Sequence, residues 1–149
     1  MASHRNRSRR GATLVETAIV LPVFLLLVCG TIDLAAGVYR HNLLSELARR
    51  GAREAVVLGS QAPPQRQSLG PQSWTGSATD DHPIAAIVRP LLVGIDPAEV
   101  MLALEWPDGD NAPRHRVRCT VSLDFQGVTF ALAGRSVTLR ATSTLPIAN

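Results

Sequence analysis

One long apolar run lies near the start of the chain. No residue between Glu16 and Asp33 is charged, and most are Leu, Val, Ala or Ile. A membrane-spanning helix needs about 20 mostly apolar residues, and Thr13 to Val38 supplies them if both acids are accommodated. The pattern predicts a transmembrane helix over residues 12–38, and we expect Asp33 to lie at the far interface or to face a partner helix.

The apolar pattern then changes to a stripe. Apolar or small residues recur at spacings of three and four, which predicts one buried helix face made of Leu44, Leu47, Ala48, Gly51, Ala55 and Leu58. We therefore expect the helix to continue over residues 39–58 and to end at Gly59. Residues 59–80 are rich in Gly, Pro, Gln and Ser and predict a flexible loop. Trp74 in this loop is expected to dock on the domain, and the alternative is that it marks a contact surface.

Residues 81–149 predict a small α+β domain. Asp81 is a candidate cap for a short helix with Pro83 in its first turn. Three segments then alternate apolar and polar residues as strands do; their predicted inward residues are Val100, Leu102, Leu104 and Trp106, then Val117, Cys119, Val121, Leu123 and Phe125, then Val137, Leu139, Ala141 and Ser143. The predicted fold class is α+β: a long N-terminal helix, transmembrane and then amphipathic, packed on an antiparallel sheet of three to four strands with one short extra helix.

Charge is concentrated at the N-terminus. The chain has 149 residues and a net charge of +3, and all of its basic side chains are Arg. Four of these, Arg5, Arg7, Arg9 and Arg10, lie in the first ten residues; the remaining 15 − 4 = 11 face 12 acids. A near-neutral remainder argues against nucleic-acid binding, and the basic head favours a cytoplasmic N-terminus with the C-terminal domain extracytoplasmic. The difference in positive charge between the two sides of the apolar run is reduced by the basic residues that follow it closely, Arg40, Arg49, Arg50 and Arg53.

The residues predict no enzyme, cofactor or metal site. His4, His41, His82 and His115 are scattered, without the spacing of a metal pair. Asp108, Asp110 and Asn111 lack the order of a calcium-binding loop and predict a hairpin turn. Helix capping accounts for Asp80-Asp81-His82, and Cys29 and Cys119 are not expected to form a disulfide.

A basic head before an apolar run is also typical of a secretory signal peptide. The small residues of a cleavage site are poorly matched at Val28-Cys29-Gly30 and at Leu34-Ala35-Ala36. A lipoprotein signal places a small residue before its cysteine, where this chain has Val28. A third kind of processing would cut the chain at the start of the apolar run, before the helix.

The start of the run carries a family resemblance. Arg9-Arg10-Gly11-Ala12-Thr13-Leu14-Val15-Glu16 resembles a type IV prepilin signal, and the stretch from Gly11 to Pro22 resembles the opening of the TadE-like family, the pseudopilins of the tight-adherence (Tad) pilus. Ala48 to Ala55 is similar to the family's helix ending and Ser136 to Ser143 to its last strand. Thr17 departs from the pattern, because related signals carry an aromatic residue there.

The resemblance implies specific roles. A prepilin peptidase would cut between Gly11 and Ala12, so that residues 1–11 are a leader peptide and the apolar helix stays in the mature protein. Glu16 would neutralise an Ala12 ammonium, its own or a neighbour's; a helix-starting carboxylate is the alternative reading. Pro22 would kink the helix, and the residues that would pack against neighbouring pilin helices are Leu14, Val15, Ile19, Val20, Pro22, Phe24 and Leu27.

The implied partners are the lipid bilayer, the prepilin peptidase, other pilins or pseudopilins and the Tad inner-membrane assembly proteins. The implied location is the bacterial inner membrane, with possible release into a pilus that serves adhesion or secretion. The alternative is a permanently anchored single-pass scaffold or binding module that never enters a filament.

Overall fold

The computed structural model describes residues 5–60, 62, 64–66, 68–127 and 134–148, and for residues 5–10 it describes the backbone alone. The chain divides into two compact units. One comprises Met1–Gly37 and Gln126–Ser136; the other, which we call the sheet domain, comprises Val38–Phe125 and Val137–Asn149.

The N-terminal helix, α1, runs from Arg5 to Val57 and contains Pro22. It contributes residues to both units. The amide of Leu58 still donates to the carbonyl of Glu54, so the helical pattern ends beside Gly59, close to the predicted position. The predicted stripe is confirmed, since all of its members are buried: Leu44, Leu47, Ala48, Gly51, Ala55 and Leu58. Ala52 is buried beside them.

In the described part of the chain the sheet has four strands, in the order β1-β2-β3-β4. These are β1 (Trp74–Ser77), β2 (Val100–Glu105), β3 (Arg116–Gln126) and β4 (Ser136–Pro146). β1 pairs antiparallel with β2, and β2 pairs antiparallel with β3 in a register that sets Val100 against Leu123. With the short helix α2 (Pro83–Val88), this architecture confirms the predicted α+β class.

Alternation along the strands places the core. In β2 and β3 the predicted inward residues are all buried, from Val100 to Leu104 and from Val117 to Phe125. Except for Phe125, they form one hydrophobic cluster with the apolar side chains of the α1 stripe and with Ile84 and Val88 of α2. Each fully buried aliphatic side chain of this kind contributes roughly 1.5–3 kcal/mol. β4 follows its pattern less strictly, because Ala141 is buried whereas Val137 remains 48% exposed.

The predicted loop over residues 59–80 is wrong in part. Trp74–Ser77 was expected in the loop over residues 59–80 but forms β1, where Trp74 pairs with Leu104. Pairing with β2 outweighs the turn-forming tendency of its Gly and Ser. Of the rest of the predicted loop, residues 61, 63 and 67 lie outside the described part of the chain.

The cap of α2 is His82 rather than Asp81. His82 has extended backbone angles, and its ring nitrogen Nδ1 accepts a hydrogen bond from the amide of Ile84 at 3.3 Å. Its ring also stacks on the indole of Trp74, with centroids 3.7 Å apart and planes 7° from parallel. Pro83 then occupies the first turn, as predicted.

Candidate functional site

The first part of α1 exposes an unusual amount of apolar surface. We call residues 11–37 the apolar segment. Its predicted packing residues are mostly exposed side chains, with exposed fractions of 71% for Leu14, 62% for Val15, 65% for Ile19, 57% for Val20, 58% for Phe24 and 63% for Leu27. A helix whose apolar side chains are exposed to this extent needs lipid or other helices around it. α1 is long and apolar enough to cross a membrane, and it is the one such helix among the described residues.

The polar groups of this segment suit a nonpolar surrounding. The Thr17 hydroxyl donates to the carbonyl of Thr13 at 2.9 Å, and the Thr31 hydroxyl donates to the carbonyl of Leu27 at 2.8 Å. Each hydroxyl is thus satisfied within the helix, as a bilayer requires of polar groups. Pro22 lacks an amide hydrogen, so the carbonyl of Ala18 receives no bond from it, a defect that membrane helices tolerate.

Glu16 is an exposed carboxylate at one end of this apolar surface. It lines a groove whose other residues, all within about two turns along the helix, are Thr13, Thr17, Val20, Leu21 and Phe24. Of the predicted packing residues, Val20 and Phe24 therefore share a face with Glu16. Leu14, Val15, Ile19 and Leu27 do not line this groove.

Asp33 behaves differently from Glu16, because only 2% of its surface is exposed. Cys29, one turn earlier, is half-buried. The prediction for Asp33, a far interface or a partner helix, stays a prediction.

The predicted cleavage point lies within α1. Gly11 is exposed, and a Cβ added to it meets no atom within 4 Å. Of the predicted leader, residues 1–4 lie outside the described part, and residues 5–11 form the first turns of α1.

Polar residues in and beside the turn between β2 and β3 pair with one another within the sheet domain. Asp108 accepts from the guanidinium of Arg116 through both oxygens and from its backbone amide at 2.7 Å, and these bonds lower the pKa of Asp108 to about 2. Asp110 pairs with His115 in the same turn. Among the residues that the structure describes, no three His, Cys, Asp or Glu side chains are grouped to hold a metal ion.

Comparison with known families finds a similarity in the N-terminal region. The family described as TadE-like protein matches residues 11–53. Over these residues the chain is similar to that family. The resemblance carried by the opening motif is confirmed over this range, and the match begins at Gly11, the residue before the predicted cut.

The TadE-like region covers the apolar segment and most of the buried stripe of α1. It ends before the sheet, so the likeness of Ser136 to Ser143 to the family's last strand stays a prediction. Searches of curated proteins and of solved structures each gave no match.

Two contacts within the sheet domain were not predicted from the sequence. His82 was assigned to capping only as part of an acidic cluster, and its stack on Trp74 depends on a strand that was not predicted. Gly51 was placed in the stripe, but its close contact with Cys119 joins positions 68 residues apart in the chain (119 − 51), and no local pattern carries such a signal.

Proposed function

We propose that this protein is a TadE-like pseudopilin or minor pilin that a prepilin peptidase cuts between Gly11 and Ala12 and that then takes part in assembly of a Tad-type pilus. The family match that begins at Gly11 is the observation that carries the proposal. In this role the apolar segment remains in the mature protein, held first by the bilayer and then by neighbouring pilin helices.

The exposed apolar side chains support this role. A single-pass anchor needs only lipid around its helix, whereas a pilin helix exchanges lipid for protein when it enters a filament. Both surroundings cover apolar surface at similar free energy, because lipid tails are as apolar as Leu. The helix can therefore move from lipid to protein at little cost, because exposed side chains such as Leu14, Ile19 and Leu27 are covered in both. This exchange requires no catalysis by this chain.

Glu16 would favour packing of the helix against neighbouring pilin helices over packing against lipid. A cut after Gly11 leaves an ammonium on Ala12, one helical turn from Glu16. In surroundings of low dielectric constant an unpaired charge is costly, and an opposite charge within about 4 Å offsets much of the cost. Glu16 of an incoming subunit is therefore suited to pair with the Ala12 ammonium of a neighbour.

The proposed location is the bacterial inner membrane, with the Arg-rich head cytoplasmic and the sheet domain extracytoplasmic, as the positive-inside tendency favours. The proposed partners are the prepilin peptidase, other pilins or pseudopilins and the Tad inner-membrane assembly proteins. Adhesion and secretion are the processes that such an assembly serves.

Glu16→Gln tests the proposal, because it keeps the shape of the side chain and removes its charge. We expect the variant to be inserted, cut and folded, and to be lost from the filament fraction sheared from cells by at least about tenfold, the loss typical of an unpaired buried charge. Glu105→Gln, which alters an exposed carboxylate of β2, is the control and should assemble normally. Normal incorporation of Glu16→Gln would contradict the pairing role.

A further inference from the structure

Four carboxylates lie on the connection between β1 and β2, at one end of the sheet. Between the end of β1 and the start of β2 the chain carries the exposed acids Asp80, Asp81, Asp96 and Glu99, which we call the acidic surface. Two bonds hold the two halves of this connection together. The Ser77 hydroxyl donates to the Pro97 carbonyl at 3.2 Å, and the Ala78 amide donates to the Val100 carbonyl at 3.0 Å.

The acidic surface has little internal compensation. Asp80 and Asp96 each use one oxygen to accept from a nearby backbone amide, of Ser77 and Ala98 respectively. Arg89 is the one basic residue in this stretch, giving a net charge of 1 − 4 = −3. Its guanidinium donates to the backbone carbonyls of Ala78 and Asp80. In the described part of the chain no ion pair involves any of the four acids.

A surface of opposite sign lies on α1. Arg49, Arg50 and Arg53 are exposed and form what we call the arginine surface. Glu46 is shared by two of them, at 3.5 Å from Arg49 and 2.9 Å from Arg50. Arg53 has no ion pair with any residue the structure describes, so this face carries 3 − 1 = two net positive charges.

The two surfaces are on different parts of the sheet domain. α1 turns Ala48, Ala52 and Ala55 toward the core, and helical periodicity places Arg49 and Arg53 on the other side. The acidic surface belongs to the β1–β2 connection at one end of the sheet. No ion pair joins the two surfaces among the described residues of one copy.

We propose that the acidic surface of one copy of this chain docks on the arginine surface of the next copy, head to tail. Charge complementarity selects this occupant, since each copy carries both surfaces and no ion pair joins them among its described residues. A contact between two different surfaces leaves one of each free on a pair of copies, so that it continues to further copies, as a ring or an open chain, and does not close as a two-fold dimer. This inference rests on the proposed assembly function and names the contact between sheet domains within it.

Cross-linking in native membranes tests the contact. Two tagged copies of the full chain would be co-expressed, and both would carry Cys29→Ser. One copy would also carry Arg53→Cys and the other Glu99→Cys. The membranes would then be treated with a short bis-maleimide. Cys119 is buried, and burial raises the pKa of its thiol to about 12, so it does not compete. We expect a cross-link between the two tagged copies. Cross-links of Arg53→Cys copies only with one another would overturn the proposal.

Charge exchange tests the same contact without relying on proximity alone. Arg49→Glu/Arg53→Glu and Asp81→Arg/Glu99→Arg, each in an otherwise normal chain, should lower incorporation by about tenfold, since facing like charges repel. Co-expression of the two variants should restore incorporation. Loss without restoration, in variants whose thermal unfolding is unchanged, would assign the arginines to a different partner and overturn the proposal.

These results are separable from failure of the assembly function itself. The N-terminus of each cross-linked sample would be determined by mass. Chains that begin at Ala12 but fail to cross-link contradict only the head-to-tail contact. Chains that retain residues 1–11 contradict the proposed processing, whatever their cross-links.

Discussion

Gly51 of α1 lies against the thiol of Cys119 on β3. A Cβ added to Gly51 would stand 2.7 Å from that sulfur and 3.2 Å from Cγ2 of Ile84 on α2. The absence of a side chain thus lets α1, α2 and β3 meet at one point in the core. Close packing leaves little room for adjustment there.

Gly51→Ala is therefore expected to destabilise the sheet domain by about 1–3 kcal/mol, the usual cost of overpacking, although the same change in an exposed helix is stabilising. Thermal unfolding of the full chain in detergent measures the effect. In the double variant with Cys119→Ala the obstructing sulfur is gone, and most of the loss should be recovered. Gly30→Ala, at which a Cβ meets nothing within 4 Å, is the control; equal losses at the two glycines would contradict this packing.

The ion pair of Asp108 and Arg116 predicts a loss of stability in acid. The hydrogen bonds from Arg116 hold the pKa of Asp108 at about 2, below its ordinary 3.8. A carboxyl whose pKa is depressed in the folded state stabilises it above its unfolded pKa, and this contribution disappears as the pH falls from about 4 to 2. Asp108→Asn should be less stable than the natural chain at pH 6 and equal to it near pH 2.

Asp124→Asn is the matched control for this pair. Asp124 is an exposed acid of the same sheet that accepts from the Thr138 hydroxyl at 2.6 Å. The melting temperature of this control, followed from pH 6 to 2, should keep the acid sensitivity of the natural chain. A constant difference between Asp108→Asn and the natural chain across that range would contradict the assignment.

His82 predicts a separate dependence at higher pH. Burial lowers the pKa of His82 from 6.5, and Asp80 opposes the shift. The folded state then binds this proton less readily than the unfolded state, so stability is complete above about 6.5 and falls as the pH drops below that value. Protonation also removes the lone pair of Nδ1 that caps α2.

Melting temperatures between pH 7.5 and 5 check this prediction. His82→Gln should have a smaller slope over that range than the natural chain, because the titrating ring is gone. His41→Gln, at an exposed histidine of α1, should keep the natural slope. An unchanged slope in His82→Gln would show that the histidine does not report on folding.

The parts of the fold that sequence predicted are those governed by local periodicity. Leu44 to Leu58 follow the period of a helix, and Val100 to Leu104 and Val117 to Phe125 follow the period of a strand, so their buried faces could be predicted one element at a time. β1 could not, since Trp74-Thr75-Gly76-Ser77 is short and becomes a strand only by pairing with β2. The contact of Gly51 with Cys119 and the stack of His82 on Trp74 likewise join distant residues.

The candidate site divides in the same way. The apolar segment could be predicted because a bilayer imposes length and composition on any helix that crosses it, and its family because Gly11, Glu16 and Pro22 stand at characteristic spacings. Processing and assembly depend on a peptidase and on neighbouring subunits. In the proposed function those partners would act on Gly11 and Glu16, which are exposed and so lack surroundings made by this chain.

The N-terminus of the protein recovered from native membranes, determined by intact mass, tests the central claim most directly. We predict a chain that begins at Ala12, and we predict that Gly11→Val keeps residues 1–11 while Gly30→Val is cut normally. Both glycines stand in open space, with nothing within 4 Å of an added Cβ, so neither substitution disturbs packing. A natural chain that begins at Met1 or Ala2 would contradict the account and leave a static membrane anchor.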